Sequence, residues 1–123
     1  MTQKKILVVD DSKTALLMET MILKKGHYDL VTAADGADAV EKALAEHPDL
    51  ILMDVVMPRM TGFEALRELR SREATRAIPV IIVTTRGEAQ NVETGFESGC
   101  TDYVTKPIDG LELLSKIRDH IGN

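Results

Sequence analysis

The stretch Ile6-Leu7-Val8-Val9-Asp10-Asp11-Ser12 sets four consecutive apolar residues directly before two carboxylates and a serine. An apolar run with no polar face predicts a strand covered on both sides, as in a parallel sheet. Leu50-Ile51-Leu52-Met53 and Val80-Ile81-Ile82-Val83 read the same way. Leu30-Val31-Thr32-Ala33 and Asp102-Tyr103-Val104-Thr105 are weaker strand candidates.

Helical spacing fills the intervals. Ser12 can cap a helix bearing Ala15, Leu16, Met18 and Ile22, with Gly26 as its left-handed stop after Lys24 and Lys25. Ala37 to Glu46 carries Ala39, Val40, Ala43 and Leu44 and ends before Pro48. Phe63, Leu66 and Leu69 mark a third helix, and Val92 and Phe96 a fourth that ends near Gly99. Asp109 can cap a fifth, with Leu111, Leu114, Ile117 and Ile121 on one face. Strand and helix alternate five times. Such alternation predicts an α/β fold, a parallel sheet with helices on both faces and right-handed crossovers. No linker, repeat or low-complexity segment interrupts it, so one domain is expected over residues 1–123.

Composition narrows the function. Of 123 residues 44% are hydrophobic but only 3% aromatic, so aliphatic side chains must fill the core, with the six methionines read mostly as core filling. Net charge is 15 − 20 = −5, which argues against a nucleic-acid surface. Cys100 is the one cysteine; it has no disulfide partner in the chain and reads as a small buried residue in a reducing compartment. The first apolar run is too short for a signal peptide, and no stretch reaches the roughly 18 residues that span a bilayer. A cytoplasmic location without membrane insertion is expected. His27, His47 and His120 lie at helix ends or turns and read as surface polar groups, and no Cys/His cluster supports zinc. Nucleotide binding lacks its glycine-rich phosphate loop.

In an open parallel sheet, ligands bind beyond the carboxyl ends of the strands. Asp10 and Asp11 follow the first strand, Asp54 the third, Thr84 and Thr85 the fourth, and Lys106-Pro107 the fifth. The second strand contributes nothing, which suits an edge. Three carboxylates so placed repel one another and raise one another's pKa, and a hard divalent cation such as Mg²⁺ relieves this. Phosphoryl transfer needs in-line positioning and stabilisation of spread negative charge; a carboxylate nucleophile, a cation, a lysine and a hydroxyl supply those parts.

These residues resemble the signature of response-regulator receiver domains. The resemblance runs from about Lys4 to Ile121 through Val8-Val9-Asp10-Asp11-Ser12, the stretch from Asp54 to Gly62, and the stretch from Gly99 to Pro107. It is greatest to the stand-alone, chemotaxis-regulator-like type. It implies a flavodoxin-like (βα)5 three-layer sandwich with strand order 2-1-3-4-5. It also implies that Asp54 is the phosphoacceptor and that Mg²⁺ (or Mn²⁺) is held by Asp11, Asp54 and the backbone carbonyl of Val56, with Asp10 acting through water. Lys106 would pair with the phosphoryl group across a cis Lys106–Pro107 bond. Thr84, favoured over Thr85, would switch together with Tyr103. Val56 and Arg86 would tune phosphoryl lifetime. The donor would be a sensor histidine kinase, a phosphotransfer protein or acetyl phosphate. Output would pass to a protein target through the face built from the fourth helix, fifth strand and fifth helix, carrying Arg86, Val92, Phe96, Tyr103 and Leu113, in a monomer or phosphorylation-linked dimer.

Three rivals are weaker. Haloacid-dehalogenase-type phosphatases place a second Asp two residues after the nucleophile, where this chain has Ser12 after Asp10 and Lys13 after Asp11. A phosphorylation-independent binding module would not need the acidic cluster with Thr84 and Lys106. A flavin site would need an anion cradle where this chain sets carboxylates.

Overall fold

The computed structural model describes residues 3–55 and 61–122. In chain order these form β1 (Lys5–Val9), α1 (Lys13–Lys24), β2 (Asp29–Ala33), α2 (Gly36–Glu46) and β3 (Leu50–Asp54). There follow α3 (Gly62–Ser71), β4 (Val80–Thr85), α4 (Ala89–Ser98), β5 (Asp102–Lys106) and α5 (Gly110–Ile121). The strands make one sheet in the order β2-β1-β3-β4-β5, and every neighbouring pair is parallel. This is the flavodoxin-like sandwich expected from the sequence, with β2 on an edge.

The pleat of the strands sorts the core into two halves. Leu7, Val9, Ile51, Met53 and Ile82 point to one side, where Ala39, Val40 and Ala43 of α2 and Ala65, Leu66 and Leu69 of α3 cover them. Ile6, Val8, Leu50, Leu52, Ile81 and Val83 point to the other, beneath Leu23 of α1 and Leu113, Leu114 and Ile117 of α5. Buried runs without alternation are what a sheet sandwiched between two helical layers demands.

Side chains fix most helix starts. Ser12 Oγ accepts from the Ala15 amide at 3.2 Å, and Asp109 Oδ1 from Leu111 and Glu112 at 3.0 and 3.2 Å. Thr61 and Glu64 form a reciprocal capping box, bonding each other's amides at 3.2 and 3.1 Å. Helix α4 starts at Glu88 with no side-chain cap.

Four expectations are corrected. Gly26 is not the left-handed stop of α1; His27 is, at φ 62°. Glycine is needed at 26 for space, because a Cβ there would stand 2.6 Å from the Tyr28 ring. Leu111 is 82% exposed, whereas Leu113 is fully buried. At about 100° per residue, Leu111 lies roughly 110° from the centre of the Leu113, Leu114 and Ile117 stripe. Leu113 therefore cannot belong to a partner surface. Helix α4 stands where Val92 and Phe96 marked it, with Gly95 and Ser98 buried, Val92 half-buried and Phe96 exposed. Among the described methionines, Met53 is core but Met18 and Met21 of α1 are exposed.

Candidate functional site

The parallel register brings four strand ends to one edge. Asp54 ends β3 opposite Val83, and Thr85 stands opposite Lys106. The Asp10 amide donates to the Ala33 carbonyl at 3.1 Å and the Val55 amide to the Val83 carbonyl at 3.2 Å, so both turns leave the sheet in fixed directions. Asp10, Asp11, Ser12, Asp54, Thr84, Thr85 and Lys106 line one cleft of about 340 Å³.

Electrostatics dominate this cleft. One carboxylate oxygen from each of Asp10, Asp11 and Asp54 lies within 4.8 Å of the other two. Lys106 Nζ donates to Asp54 Oδ2 at 2.9 Å and lies 3.8 Å from Asp10 Oδ2. Asp10 is buried: Oδ1 accepts from the Ser12 amide at 3.0 Å, while Oδ2 has no hydrogen-bond donor. Burial pushes the Asp10 carboxyl up to about 6; the Ser12 amide lowers it, Asp54 raises it and Lys106 lowers it. Burial works against the Lys106 ammonium, but the hydrogen bond and charge of Asp54, then Asp10 and Glu19, raise its pKa on balance. An orphaned buried carboxylate oxygen among three carboxylates is a donor set suited to a hard divalent cation, which accepts oxygen ligands and keeps part of its water. Asp10, Asp11 and Asp54 are the side chains that could hold such a cation.

The remaining expected residues are placed less uniformly. Thr84 is buried, and its Oγ1 accepts from Asn91 Nδ2 at 3.2 Å, whereas Thr85 is exposed. Tyr103 is half-buried, edge-on to Phe96 with ring centroids 6.4 Å apart, and Lys116 Nζ lies 4.7 Å from its ring centre. Arg86 is exposed, two residues beyond Thr84. The Lys106–Pro107 bond is cis. Val56 lies outside the described residues, and with it the expected backbone ligand. Cys100 is buried and its thiol pushed up to about 11, chiefly by burial. His27 and His47 are exposed; His120 Nε2 sits 3.2 Å from Asp102 Oδ2.

Sequence reasoning missed two neighbours of the site. Asn91 reaches Thr84 from α4 and carries no sequence signal. Glu19 is 3% exposed on the inward side of α1. Its spacing from Ala15 and Ile22 does mark it as inward, but charge reads as exposure in a hydropathy pattern. Burial first, then the charge of Asp10, pushes its carboxyl up to about 8; Lys106 lowers it and Asp54 raises it. A carboxyl raised in the fold contributes stability that is lost as pH rises through its folded pKa. Without metal, the melting temperature should therefore fall between about pH 5 and pH 8 by about 5 °C or more and level off above that. Glu19→Gln should flatten that slope. A wild type with a flat profile across the same window by calorimetry would contradict it.

Known proteins resemble this chain in sequence and in fold. The profile of the response regulator receiver domain matches residues 6–118. Protein PilH of Pseudomonas aeruginosa is 44% identical over 113 residues, covering 92% of this chain and 93% of that protein. The alkaline phosphatase synthesis transcriptional regulatory protein PhoP of Bacillus subtilis is 36% identical, over 94% of this chain but 47% of its own length. The chain thus spans about half of some relatives and nearly all of others. Among solved structures, the chemotaxis protein CheY4 of Vibrio cholerae superposes with a TM-score of 0.90 at 33% identity, over 97% and 99% of the two chains. The receiver domain of the sensor histidine kinase PA1611 of Pseudomonas aeruginosa, with a magnesium ion coordinated in its active-site cleft, gives 0.91 at 31% identity over 99% and 100%.

Proposed function

Because the chain belongs to the response-regulator receiver family, and so to the phosphorylation-dependent signalling switches of two-component systems, we propose that Asp54 is its phosphoacceptor. The observation that carries this reading is the Lys106 ammonium bridging Asp54 and Asp10 at the cleft where three carboxylates meet. One Asp54 carboxylate oxygen attacks the phosphorus of a phosphohistidine on a sensor kinase or phosphotransfer protein. The P–N bond breaks, the imidazole leaves with its electron pair and takes up a proton, and an acyl phosphate remains on Asp54. Acetyl phosphate donates by the same displacement, with acetate as the leaving group. Asp11, Asp54 and the Val56 carbonyl, with Asp10 through a water, would hold Mg²⁺ (or Mn²⁺), which would neutralise the phosphoryl charge. Lys106 turns its ammonium from the carboxylate to a phosphoryl oxygen. Hydrolysis of the acyl phosphate later resets the switch, and the domain turns over no other substrate.

The test is intact mass after acetyl phosphate, with Mg²⁺ and with EDTA. One added phosphoryl group, absent with EDTA, supports the reading. No gain under either condition, and none from any histidine-phosphorylated donor, would refute it.

Output follows from a local change. A group of about −2 charge beside Thr84 offers its hydroxyl a stronger acceptor than Asn91 provides a donor. Movement of Thr84 with Tyr103 then biases the face of α4, β5 and α5, whose helix α4 has the one uncapped start among the helices. Arg86, Val92, Phe96 and Tyr103 would present that face to a protein target, in the cytoplasm, from a single receiver unit over residues 1–123 that is a monomer or a phosphorylation-linked dimer. Thr84→Ala should keep phosphoryl uptake within about threefold yet lose the amide shifts that phosphorylation induces in α4 and β5. Full shifts in the variant would remove Thr84 from the switch. Val56→Asn and Arg86→Ala should change the rate of dephosphorylation more than that of uptake. Unchanged decay in both variants would exclude a lifetime role for these positions.

A further inference from the structure

Glu19 is a buried carboxyl that this phosphoryl chemistry does not use. It is 3% exposed on the inward side of α1 and lines a cavity there. Its surroundings are apolar: Ala15, Met18 and Ile22 from α1, Pro107 and Ile108 from the chain after β5. Placing a carboxyl among apolar neighbours costs stability, because little there replaces its hydration. A leucine would fill the same place without that cost.

Among the described residues, Lys106 is the cation that acts on Glu19, and Asp10 of the β1 turn and Asp54 of β3 are the anions that do. Lys106 also joins two hollows. Its side chain lines the acidic cleft with Asp10, Asp11 and Asp54, and it lines a second cavity of about 190 Å³ with Glu19. It is 40% exposed and carries four rotatable methylenes, so it is not locked in the first hollow. Its present seat is Asp54 Oδ2 at 2.9 Å. A divalent cation at Asp54 would compete for that oxygen and repel the ammonium.

We propose that Glu19 is a positioning residue for Lys106, a second seat that takes the ammonium when a cation occupies the Asp54 carboxylate. This inference rests on the metal-dependent reading of the cleft. Glu19 touches no reacting atom; it acts by lowering the cost of moving Lys106 aside.

The coupling is testable by a double-mutant cycle read as Mg²⁺ affinity, titrated calorimetrically at pH 7. The four proteins are wild type, Glu19→Leu, Lys106→Met and the double variant. Glu19→Leu is expected to weaken Mg²⁺ binding about fivefold when Lys106 is present and less than twofold when it is methionine. Glu19→Gln, which keeps an acceptor oxygen, should recover part of the loss. The Lys106 side-chain nitrogen resonance should shift on adding Mg²⁺ to wild type and shift less in Glu19→Leu. Equal weakening in both lysine backgrounds, or none in either, overturns the proposal. A residue that only fills space would move the melting temperature and leave the affinities alone. Acetyl phosphate uptake is measured in parallel. A wild type that binds Mg²⁺ but takes no phosphoryl group from acetyl phosphate or from any histidine-phosphorylated donor refutes the switch, while the cycle still decides Glu19. A wild type that binds no Mg²⁺ overturns both.

Discussion

Lys106→Met is expected to slow phosphoryl uptake from acetyl phosphate about a hundredfold, the order found when one preorganised charge donor is removed from a transition state. Methionine keeps most of the stem and removes only the ammonium. That ammonium donates to Asp54 at 2.9 Å and lies 3.8 Å from Asp10. Without it, negative charge developing on the transferring group would lose that compensating positive charge. The loss should appear in the rate at saturating donor more than in donor affinity, because the interaction strengthens as the charge develops. Time-resolved intact mass at fixed Mg²⁺ measures it, with Asp54→Asn as the zero-uptake reference. A variant within threefold of wild type would show that the metal carries the charge stabilisation unaided. The same substitution should raise the Asp10 carboxyl further, since Lys106 is one of the groups now holding it down.

Gly62→Ala is expected to destabilise the fold by about 3 kcal/mol, lowering the melting temperature by about 10 °C, and to impair the site as well. A Cβ at Gly62 would strike the backbone carbonyl oxygen of Asp54, stand 2.6 Å from the Val55 Cα and 3.1 Å from the Asp54 carbonyl carbon. None of these is a flexible side-chain end that can move aside. The Gly62 amide also donates to the Val55 carbonyl at 3.1 Å, so the first turn of α3 is pinned against the end of β3. Relief would require shifting α3 outward or tilting the peptide that carries Asp54. Thermal melting gives the first effect and phosphoryl uptake the second. An alanine variant that melts like wild type would mean that α3 can slide along β3 without cost. A stable variant with impaired uptake would place the whole strain on the Asp54 peptide.

Local chemistry left most of the fold and the acidic site legible. Four-residue apolar runs can bury both faces only inside a layered sheet, and capping residues such as Ser12 and Asp109 stand where helices must begin. In a parallel sheet, whatever follows a strand arrives at the same edge, so Asp10, Asp11, Asp54, Thr84 and Lys106 could be gathered from chain position alone. What sequence could not decide was the phase of each helix against its neighbours and the identity of contacts between distant elements. Leu111 and Leu113 are both leucines of one helix; the crossing of α5 over the sheet exposes one and buries the other. Gly26 reads as a conformational stop, yet the ring of Tyr28 is what excludes a side chain there. Asn91 reaches Thr84 only because α4 packs beside β4. Glu19 belongs to the same class. The sequence by itself determined which strands and which charged groups meet, because those follow from hydrophobic period and strand direction. Only the tertiary structure decided that a fourth carboxyl lies buried beside Lys106, because burial of a charged side chain is set by what packs over it and not by its own polarity.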